Sequence, residues 1–265
     1  AGFDEILVAN VSADRAVEAV CARHGAVHLP LEGNPGYAAG VGALARAATG
    51  DHLLFTNDDV RFAVGFGDRV QHATRPGTVV IPRVVDTEGR TTTIVKALPT
   101  PTRVLVEWIL LPDAGPPHRG VQKWRRPERV ETIEAATAAA VLVERRLLLD
   151  HPMPTDYVLY WEELSWFWDL DDAAIPVVYD PTIRVERQGG RAEIGLTKWR
   201  YLGANLVRLG SERYGRAGRY GYALLAVVWL ARLALTDGLR ADRRLRWRAR
   251  LAGLHGVGAA VAGRA

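Results

Sequence analysis

Two groups of acidic residues in this sequence have the side chains that metal-assisted or general-base chemistry needs. The first is the triplet Asn57–Asp59, which directly follows a short apolar run. Hard cations such as Mg²⁺ bind one or two carboxylates together with the phosphates of a substrate, and such an ion would stabilise a departing diphosphate. The triplet also fits a polar turn whose aspartates cap the next helix. Taken alone, it favours the turn.

The second group is the pair Glu162 and Glu163, which lies among tryptophans. Partial burial against indole rings raises the pKa of a carboxyl group and suits a general base. Aromatic faces also stack on sugar rings, so Trp161 and Trp166 are candidates for binding a sugar. The pair fits equally the first turn of a helix, where the helix dipole favours acidic side chains. Taken alone, it favours that interpretation.

The elements that lead to the first acidic group alternate between strand and helix. Apolar runs predict strands at 5–9, 26–29 and 52–56, and helical spacing predicts helices at 14–24 and 37–49. This order is typical of parallel strands with helices on both faces of the sheet. Because ligands of such sheets lie beyond the carboxyl ends of the strands, we expect Asn10 and Asn57–Asp59 to line one crevice.

The later part of the chain is less regular. It predicts strands at 78–81 and 177–179, a turn at 86–89, a short helix at 145–149, a long loop at 97–130 and a helix at 198–209. The apolar stretch 223–235 is shorter than the roughly 20 residues that cross a bilayer. It either packs on the rest of the protein or lies in a membrane interface. We therefore predict two domains, 1–196 and a helical extension at 197–265.

Composition excludes several classes of protein. The chain has 265 residues, of which 48% are hydrophobic, so it can bury a sizeable core. The glycine content and the charge fraction exclude collagen, coiled coils and wholesale disorder. A single cysteine, Cys21, excludes an internal disulfide and a cysteine metal cluster. The acidic opening Ala1–Glu5 lacks the basic segment of a signal peptide, so we expect a cytoplasmic location.

The net charge of +4 is unevenly distributed. Lysine occurs only at 96, 123 and 198, so 31 of the 34 basic residues are arginines. A late cluster predicts a surface for phosphates, either of anionic lipid or of nucleic acid; a solvated helix face is the alternative. A lipid surface would place the protein at the inner face of the plasma membrane, and nucleic acid is the less favoured partner. The cluster consists of Arg240, Arg243, Arg244, Arg246, Arg248 and Arg250.

Six segments follow one another in an order that is typical of one enzyme family. They are Val8–Asp14, Asn34–Gly40 followed by Ala48–Asp51, Leu54–Val60, Ile81–Arg90, Tyr160–Leu164 and Arg187–Gly190. In that order they resemble the Val-Asp-Asn-x-Ser-x-Asp, Asn-x-Gly-Phe-Ala-x-Gly, Asp-x-Asp, Pro-Arg-x-x-Asp-x-x-Gly, Tyr-x-Glu-Asp and His-x-Gly-Gly motifs of the inverting nucleotide-sugar glycosyltransferases of family 2. The rhamnosyltransferase-like branch is the most similar. The resemblance covers about residues 5–208, and it rests on the order of the segments.

The resemblance implies a fold and a reaction. The fold is GT-A, a Rossmann-like α/β fold with a mostly parallel sheet and helices on both faces, followed here by the helical extension. Glu163 matches the catalytic base that takes the proton of the acceptor hydroxyl, with Glu162 beside it. Asp59 matches the main ligand of Mg²⁺ or Mn²⁺, with Asp58 as a second ligand. One in-line displacement at the anomeric carbon then inverts its configuration. The residues implied to bind the nucleotide-sugar are Asn10, Asn34, Gly36, Asn57, Asp58 and Arg187.

The implied substrates are a nucleotide-sugar donor, dTDP-rhamnose or a UDP-sugar, and a glycan, lipid-linked or secondary-metabolite acceptor. Four positions depart from the family pattern: Ala9 replaces a base-reading aspartate, Gly42 a frequent asparagine, Glu163 an aspartate and Arg187 a histidine. The family's first strand, which carries a Tyr-Asn nucleotide contact, has no counterpart here. The chain is therefore either shortened or starts further upstream in its native form. Two alternatives are a non-catalytic glycosyltransferase-like scaffold and a basic nucleic-acid-binding module.

Overall fold

The structure is a computed structural model, and its described residues form two compact units. It describes residues 2–12, 15–63, 65–93, 95–110, 127–188, 195–237 and 243–263, with the backbone alone at 107, 108, 236, 237, 243 and 244. The first unit takes its residues from Ala1–Lys96, Trp124–Val158 and Glu162–Gly190. The second takes them from Ala97–Lys123, Leu159–Trp161 and Arg191–Ala265. The second unit therefore includes three stretches that lie before the predicted boundary at 196, namely 97–123, 159–161 and 191–196.

The first unit combines strands with helices, and these alternate as predicted up to β3. Its strands are β1 (Leu7–Asn10), β2 (Val27–Pro30), β3 (His52–Thr56), β4 (Val60–Phe62), β5 (Val79–Val85), β6 (Val95–Lys96), β7 (Glu131–Ile133), β8 (Ala135–Ala136), β9 (Ala140–Glu144) and β10 (Val177–Arg187). Its helices are α1 (Arg15–His24), α2 (Tyr37–Ala47), α3 (Phe66–Ala73), α5 (Arg145–Asp150) and α6 (Glu162–Asp172), whereas α4 (Pro101–Arg103) belongs to the second unit. The strand and helix predictions up to residue 56 are confirmed to within about two residues at each end.

The main sheet is mixed, which corrects the prediction of a mostly parallel sheet. Its order is β3–β9–β5–β10–β4, and β7 pairs with the first part of β10. Only the β5–β10 pair within this described sheet is parallel. β9 enters between β3 and β5, because its run of apolar residues can be buried on both faces. Such a run identifies a buried strand but not its neighbours.

β1 and β2 form a small parallel sheet of their own. This corrects the expectation that the first three strands would lie side by side, since β3 pairs with β9. β1 and β3 instead border a cavity of about 580 Å³, which α2 and α3 line from the side. Asn10 and Asn57–Asp59 therefore do not follow adjacent strands of one sheet, and the crevice argument from parallel pairing fails.

The core of the first unit lies on the main sheet. One face of α3 packs on it through Phe66 and Val70, against Val80 and Leu142 of the central strands. The turn at 86–89 is confirmed: Asp86 Oδ1 accepts from the backbone N–H groups of Glu88 and Arg90. This packing holds β5 and β10 in place, and β10 ends at the candidate site residue Arg187.

Every element of regular secondary structure in the described part of the second unit is a helix. The segment that was predicted as a long loop at 97–130 begins with α4 (Pro101–Arg103), capped by Thr100, and a π-helical turn at Val104–Leu110. Residues 111–126 of that predicted loop lie outside the described residues. Two long helices follow, α7 (Leu196–Asp237) and α8 (Arg243–Val261). α7 bends at Gly215, whose φ of 60° lies in the left-handed region.

Close approach of small residues explains why the glycine-rich stretch 210–221 is helical on both sides of the bend at Gly215. A side chain at Gly218 would collide with the backbone of Gly210, so the two halves of α7 touch on either side of the bend. α8 packs on α7 in the same way, through Gly256 against the backbone of Arg200. Local helix propensity is poor for glycine, and this packing overrides it. No helix within the described ranges is long and apolar enough to cross a membrane.

Candidate active site

The first part of the site is the turn that follows β3. Asn57 donates its backbone N–H to the carbonyl oxygen of Ala139 at 3.2 Å, which holds the turn to the segment leading into β9. Asp58 is exposed, whereas Asp59 is half-buried. The turn thus presents one carboxylate to solvent and draws the next one inwards.

Asp59 is held by the end of β10. The antiparallel register pairs Arg187 with Val60, so Arg187 lies beside the turn. Its Nε–H donates to Asp59 Oδ2 at 2.7 Å, and the N–H of Gln188 donates to the Asp59 carbonyl oxygen at 2.6 Å. Asp59 Oδ1 is buried and has no hydrogen-bond partner among the described residues. One oxygen of this carboxylate is therefore neutralised and the other is left to accept a ligand.

A divalent cation fits this turn only if a substrate completes its coordination. Within the described residues no three His, Cys, Asp or Glu side chains are grouped closely enough to hold a metal. Mg²⁺-type ions need one or two protein carboxylates when phosphates supply the remaining oxygens. The unpartnered Oδ1 of Asp59, with the exposed Asp58 next to it, meets that smaller requirement.

The second part of the site is the first turn of α6. Glu162 is 5% exposed, whereas the side chain of Glu163 is 20% exposed. The Nζ of Lys96 donates to Glu163 Oε1 at 3.3 Å, so an ammonium group fixes the accessible carboxylate. The predicted position at a helix N-terminus is confirmed, and the two adjacent acids have different surroundings.

Glu162 is the acid that holds its proton. Burial, together with the negative charge of Glu163, raises the pKa of Glu162 from 4.5 to about 7, and Lys96 opposes that rise. Glu162 Oε2 is buried without a hydrogen-bond partner in the described part of the chain. A neutral carboxyl group tolerates such a position better than a carboxylate does. Near neutral pH, Glu162 is therefore partly protonated.

Tyr37, the first residue of α2, connects the two parts. Its hydroxyl donates to the carbonyl oxygen of Ala138 at 2.9 Å. Burial and the charges of Glu163 and Glu162 raise the pKa of Tyr37, and Arg187 opposes the rise. A single side chain is therefore within electrostatic range of both the acid pair and the Asp59–Arg187 pair. The two acidic groups of the sequence border one region of the first unit.

Gly36 brings α2 close to the segment before α6. It has a φ of 93°, and a Cβ there would lie 2.6 Å from the carbonyl oxygen of Val158. Both the left-handed backbone and the close approach require glycine. Asn34 is an exposed residue, and its Oδ1 accepts a hydrogen bond from the Gly36 N–H at 3.2 Å. The structure thus gives both residues a role in shaping this turn.

The side chain of Asn10 forms hydrogen bonds with residues next to β1. It is 8% exposed, and its Oδ1 accepts from the backbone N–H of Ser12 at 2.9 Å and from the Ser12 hydroxyl at 2.8 Å. Its Nδ2 lies 3.2 Å from His28 Nε2. These bonds close the end of β1. A role for Asn10 in binding the nucleotide stays a prediction.

The prediction that Trp166 stacks on an acceptor sugar is wrong. Trp166 has no exposed surface, packs on Phe55 and Phe167, and donates its indole N–H to the carbonyl oxygen of His151 at 2.7 Å. The position of Trp166 in the sequence of α6 did not show whether its ring faces the site or the core. Trp161 is also buried, at 5% exposure, so its ring offers no stacking face either. Its φ of 77° is unusual for a residue other than glycine.

We expect Trp166→Ala to destabilise the fold rather than to weaken acceptor binding. Loss of a buried tryptophan typically costs about 3–5 kcal/mol of unfolding free energy. Trp166→Phe keeps a buried aromatic ring but leaves a small void and loses one hydrogen bond, so it should cost less, about 1–3 kcal/mol. Denaturant unfolding of both variants measures these differences. A stable Trp166→Ala protein with a raised KM for acceptor would restore the binding role.

Sequence reasoning missed Lys96 and Tyr37. Lys96 has a signal in the sequence, because it is one of three lysines in a chain whose other basic residues are arginines. Tyr37 directly follows the Asn34–Gly36 turn, but nothing in the sequence brings it to the acid pair. Its placement depends on the contact between Gly36 and Val158.

Comparison with known proteins bears on the fold. No family model and no curated protein matches the sequence. Among solved structures, the mannosyltransferase PcManGT from Pyrobaculum calidifontis, in complex with GDP-Man and Mn²⁺, is 15% identical, with a TM-score of 0.53 over 98% of this chain and 79% of that one. The fold is that of the GT-A glycosyltransferases.

A second similar GT-A structure is GalNAc-T7 with UDP, GalNAc and Mn²⁺. It is 10% identical, with a TM-score of 0.50, and the match covers 94% of this chain. This chain spans about half of the length of that protein, 48%. At such identities the likeness concerns the GT-A fold alone.

Proposed function

We propose that this GT-A protein is a metal-dependent, inverting glycosyltransferase that moves a sugar from a nucleotide-sugar to an acceptor hydroxyl. The observation that supports it best is the contrast between the adjacent acids. Glu163 is accessible and paired with Lys96, while Glu162 is buried and partly protonated. A single accessible carboxylate in the same unit as the Asp59–Arg187 pair suits a general base opposite a leaving group.

Asp59 and Asp58 would hold Mg²⁺ or Mn²⁺ together with the donor diphosphate. The bound ion would supply charge stabilisation for the departing diphosphate. Arg187 would add to that stabilisation, because guanidinium presents several N–H donors in a fixed plane and Asp59 uses only the Nε–H. In this proposal Arg187 orients the Asp59 carboxylate and also binds the phosphates of the donor.

Glu163 would take the proton of the acceptor hydroxyl as that oxygen attacks the anomeric carbon, and the bond from that carbon to the diphosphate would break. Lys96 would keep the Glu163 carboxylate in position during the attack. One displacement on one face inverts the anomeric configuration, as in inverting glycosidases. Glu162 would not compete as a base, because its carboxyl group is buried.

The proposal extends to the family, the donor and the acceptor of the enzyme. The six motif segments support membership of family 2 and its rhamnosyltransferase-like branch, with dTDP-rhamnose or a UDP-sugar as donor. The acceptor would be a glycan, a lipid-linked sugar or a secondary metabolite. Ala9 stands at the base-reading position, so the nucleotide base is the least determined part of the donor.

Calorimetric titration with UDP, dTDP and GDP, each with and without Mn²⁺, tests the proposal. We expect one nucleotide to bind, and to bind more tightly with the ion present. Asp59→Asn should remove the effect of the ion, whereas Asp156→Asn, at an exposed position elsewhere in the unit, should not. Absence of binding by the folded protein would favour the non-catalytic scaffold instead.

Glu162 provides a prediction about stability and pH. Its pKa is raised in the folded state, so the folded protein keeps a proton that the unfolded chain releases above about pH 4.5. The stabilisation is complete below pH 4.5 and is lost as the pH rises through about 7. We expect Glu162→Gln to be more stable than the parent protein at pH 8, by about 2–3 kcal/mol. Denaturant unfolding at pH 5 and pH 8 measures the difference in unfolding free energy between the variant and the parent protein. An equal difference at the two pH values would contradict the prediction.

A further inference from the structure

A row of exposed apolar side chains runs along the second half of α7. Tyr220, Leu224, Val227, Val228 and Leu235 are between 40% and 77% exposed, and Leu235 and Leu224 are the most exposed of them. Their spacing of three, four and seven residues places them on one face of the helix. We call these five residues the outer stripe. Large aliphatic side chains rarely form a continuous exposed row on a soluble surface without a partner.

The outer stripe is not needed to fold the second unit. The opposite face of the same helix carries the buried residues Tyr222, Ala226 and Leu230. The Tyr222 hydroxyl donates to the carbonyl oxygen of Pro99 at 2.6 Å, and Leu230 contacts Gly253 of α8. Because these contacts fix how the helix is turned, the outer stripe faces away from the packed side.

The charge of the two helices indicates the kind of partner. α7 and α8 together carry twelve basic residues and two acidic ones, and the sequence from Arg216 to Thr236 contains no acid. Arg216 is exposed and lies one turn before Tyr220. On α8, Trp247 and Leu251 are 48% and 46% exposed, with the exposed Arg248 between them. Apolar and cationic side chains therefore occur together along both helices.

We propose that the outer stripe and its arginines bind the surface of an anionic lipid bilayer, with α7 lying in the plane of the interface. Aliphatic side chains then enter the boundary between headgroups and acyl chains, while arginines reach the lipid phosphates along their methylene stems. Nucleic acid fits less well, since it would satisfy the arginines but leave the leucines and valines without a partner. Lipid binding of this kind needs no turnover, so it stands apart from the proposed catalytic activity.

Co-sedimentation of the whole chain with lipid vesicles tests the proposal. The vesicles are phosphatidylcholine alone, or phosphatidylcholine with about one third phosphatidylglycerol. We expect binding to the anionic vesicles at least tenfold tighter than to the neutral ones, and weaker at high salt. Leu224→Gln combined with Leu235→Gln should weaken binding by tenfold or more. Arg216→Glu combined with Arg248→Glu should weaken it by at least 25-fold, since each arginine near a charged surface contributes about fivefold.

Matched controls come from α1, where Val20 is 46% exposed and Arg23 is exposed. Val20→Gln and Arg23→Glu should change binding by less than about twofold. Unchanged vesicle binding by the leucine variant would overturn the proposal. So would duplex DNA that competes with the vesicles and binds the leucine variant as tightly as the parent chain. If the double variant fails to fold, Leu235→Gln alone carries the same test, because that side chain is 77% exposed.

Discussion

Glu163→Gln should reduce sugar transfer by about 10²–10⁴-fold without unfolding the protein. The change keeps the shape of the side chain and removes the acceptor of the hydroxyl proton, and general bases contribute rate enhancements of this size. Lys96 loses an anionic partner, but its side chain is 21% exposed and keeps contact with water, so the loss of unfolding free energy should be small. Turnover with the donor identified by calorimetry, and a thermal unfolding curve, measure the two effects. Glu32→Gln, at an exposed position, is the control.

The role of Lys96 separates this mechanism from one in which Glu163 only binds substrate. Lys96→Met should lower kcat by about tenfold while leaving the KM for the donor unchanged, and Lys96→Arg should recover part of the loss. An increase in KM without a change in kcat would instead indicate that the pair binds the acceptor. Full activity of Glu163→Gln would remove Glu163 from the mechanism altogether.

Asp59→Asn should reduce turnover by about 10³-fold and remove the dependence of nucleotide binding on Mn²⁺. Asn keeps the hydrogen-bonding shape, but it replaces the negative charge that both Arg187 and a cation need. The unfolding free energy should change by about 1 kcal/mol at most, because the ion pair is partly exposed.

Measuring turnover across Mn²⁺ concentrations distinguishes two explanations for such a loss. If Asp59 holds the ion, added Mn²⁺ should activate the parent chain but restore little activity in Asp59→Asn, so the loss should grow as the Mn²⁺ concentration rises. If Asp59 serves only to place Arg187, then Arg187→Gln should show the same loss as Asp59→Asn and keep the dependence on Mn²⁺. The second result would contradict the assignment of Asp59 as a metal ligand.

The sequence predicts the early elements well because their signals are local. β3, α2 and the Asp86 turn follow from apolar runs, helical spacing and turn residues, and the structure confirms them. The acid pair at the start of α6 is confirmed for the same reason, since acidic residues favour the first turn of a helix.

The sequence did not predict which strands pair or which side chains of a helix face the core, because both depend on contacts between distant parts of the chain. Nothing in the sequence of β9 indicates that it pairs with β3, and without that pairing β3 is expected beside β1. Trp166 and Glu163 are three residues apart on one helix, yet one belongs to the core and the other to the site. Lys96 reaches Glu163 only because β6 and β8 pair, over a separation that no motif spans.

The small sheet of β1 and β2 gives the molecule an uneven resistance to local unfolding. The residues of β1 and β2 are mostly half-buried or exposed, whereas those of β5 and β9 are almost all buried. Backbone amides in elements with few buried contacts exchange their hydrogens through frequent local opening. The first thirty or so residues would then open as a separate cooperative segment, while β5, β9 and β10 stay closed until the whole unit unfolds. A ligand that needs Asn10 in place would have to close that segment first, and part of its binding energy would be spent on the ordering.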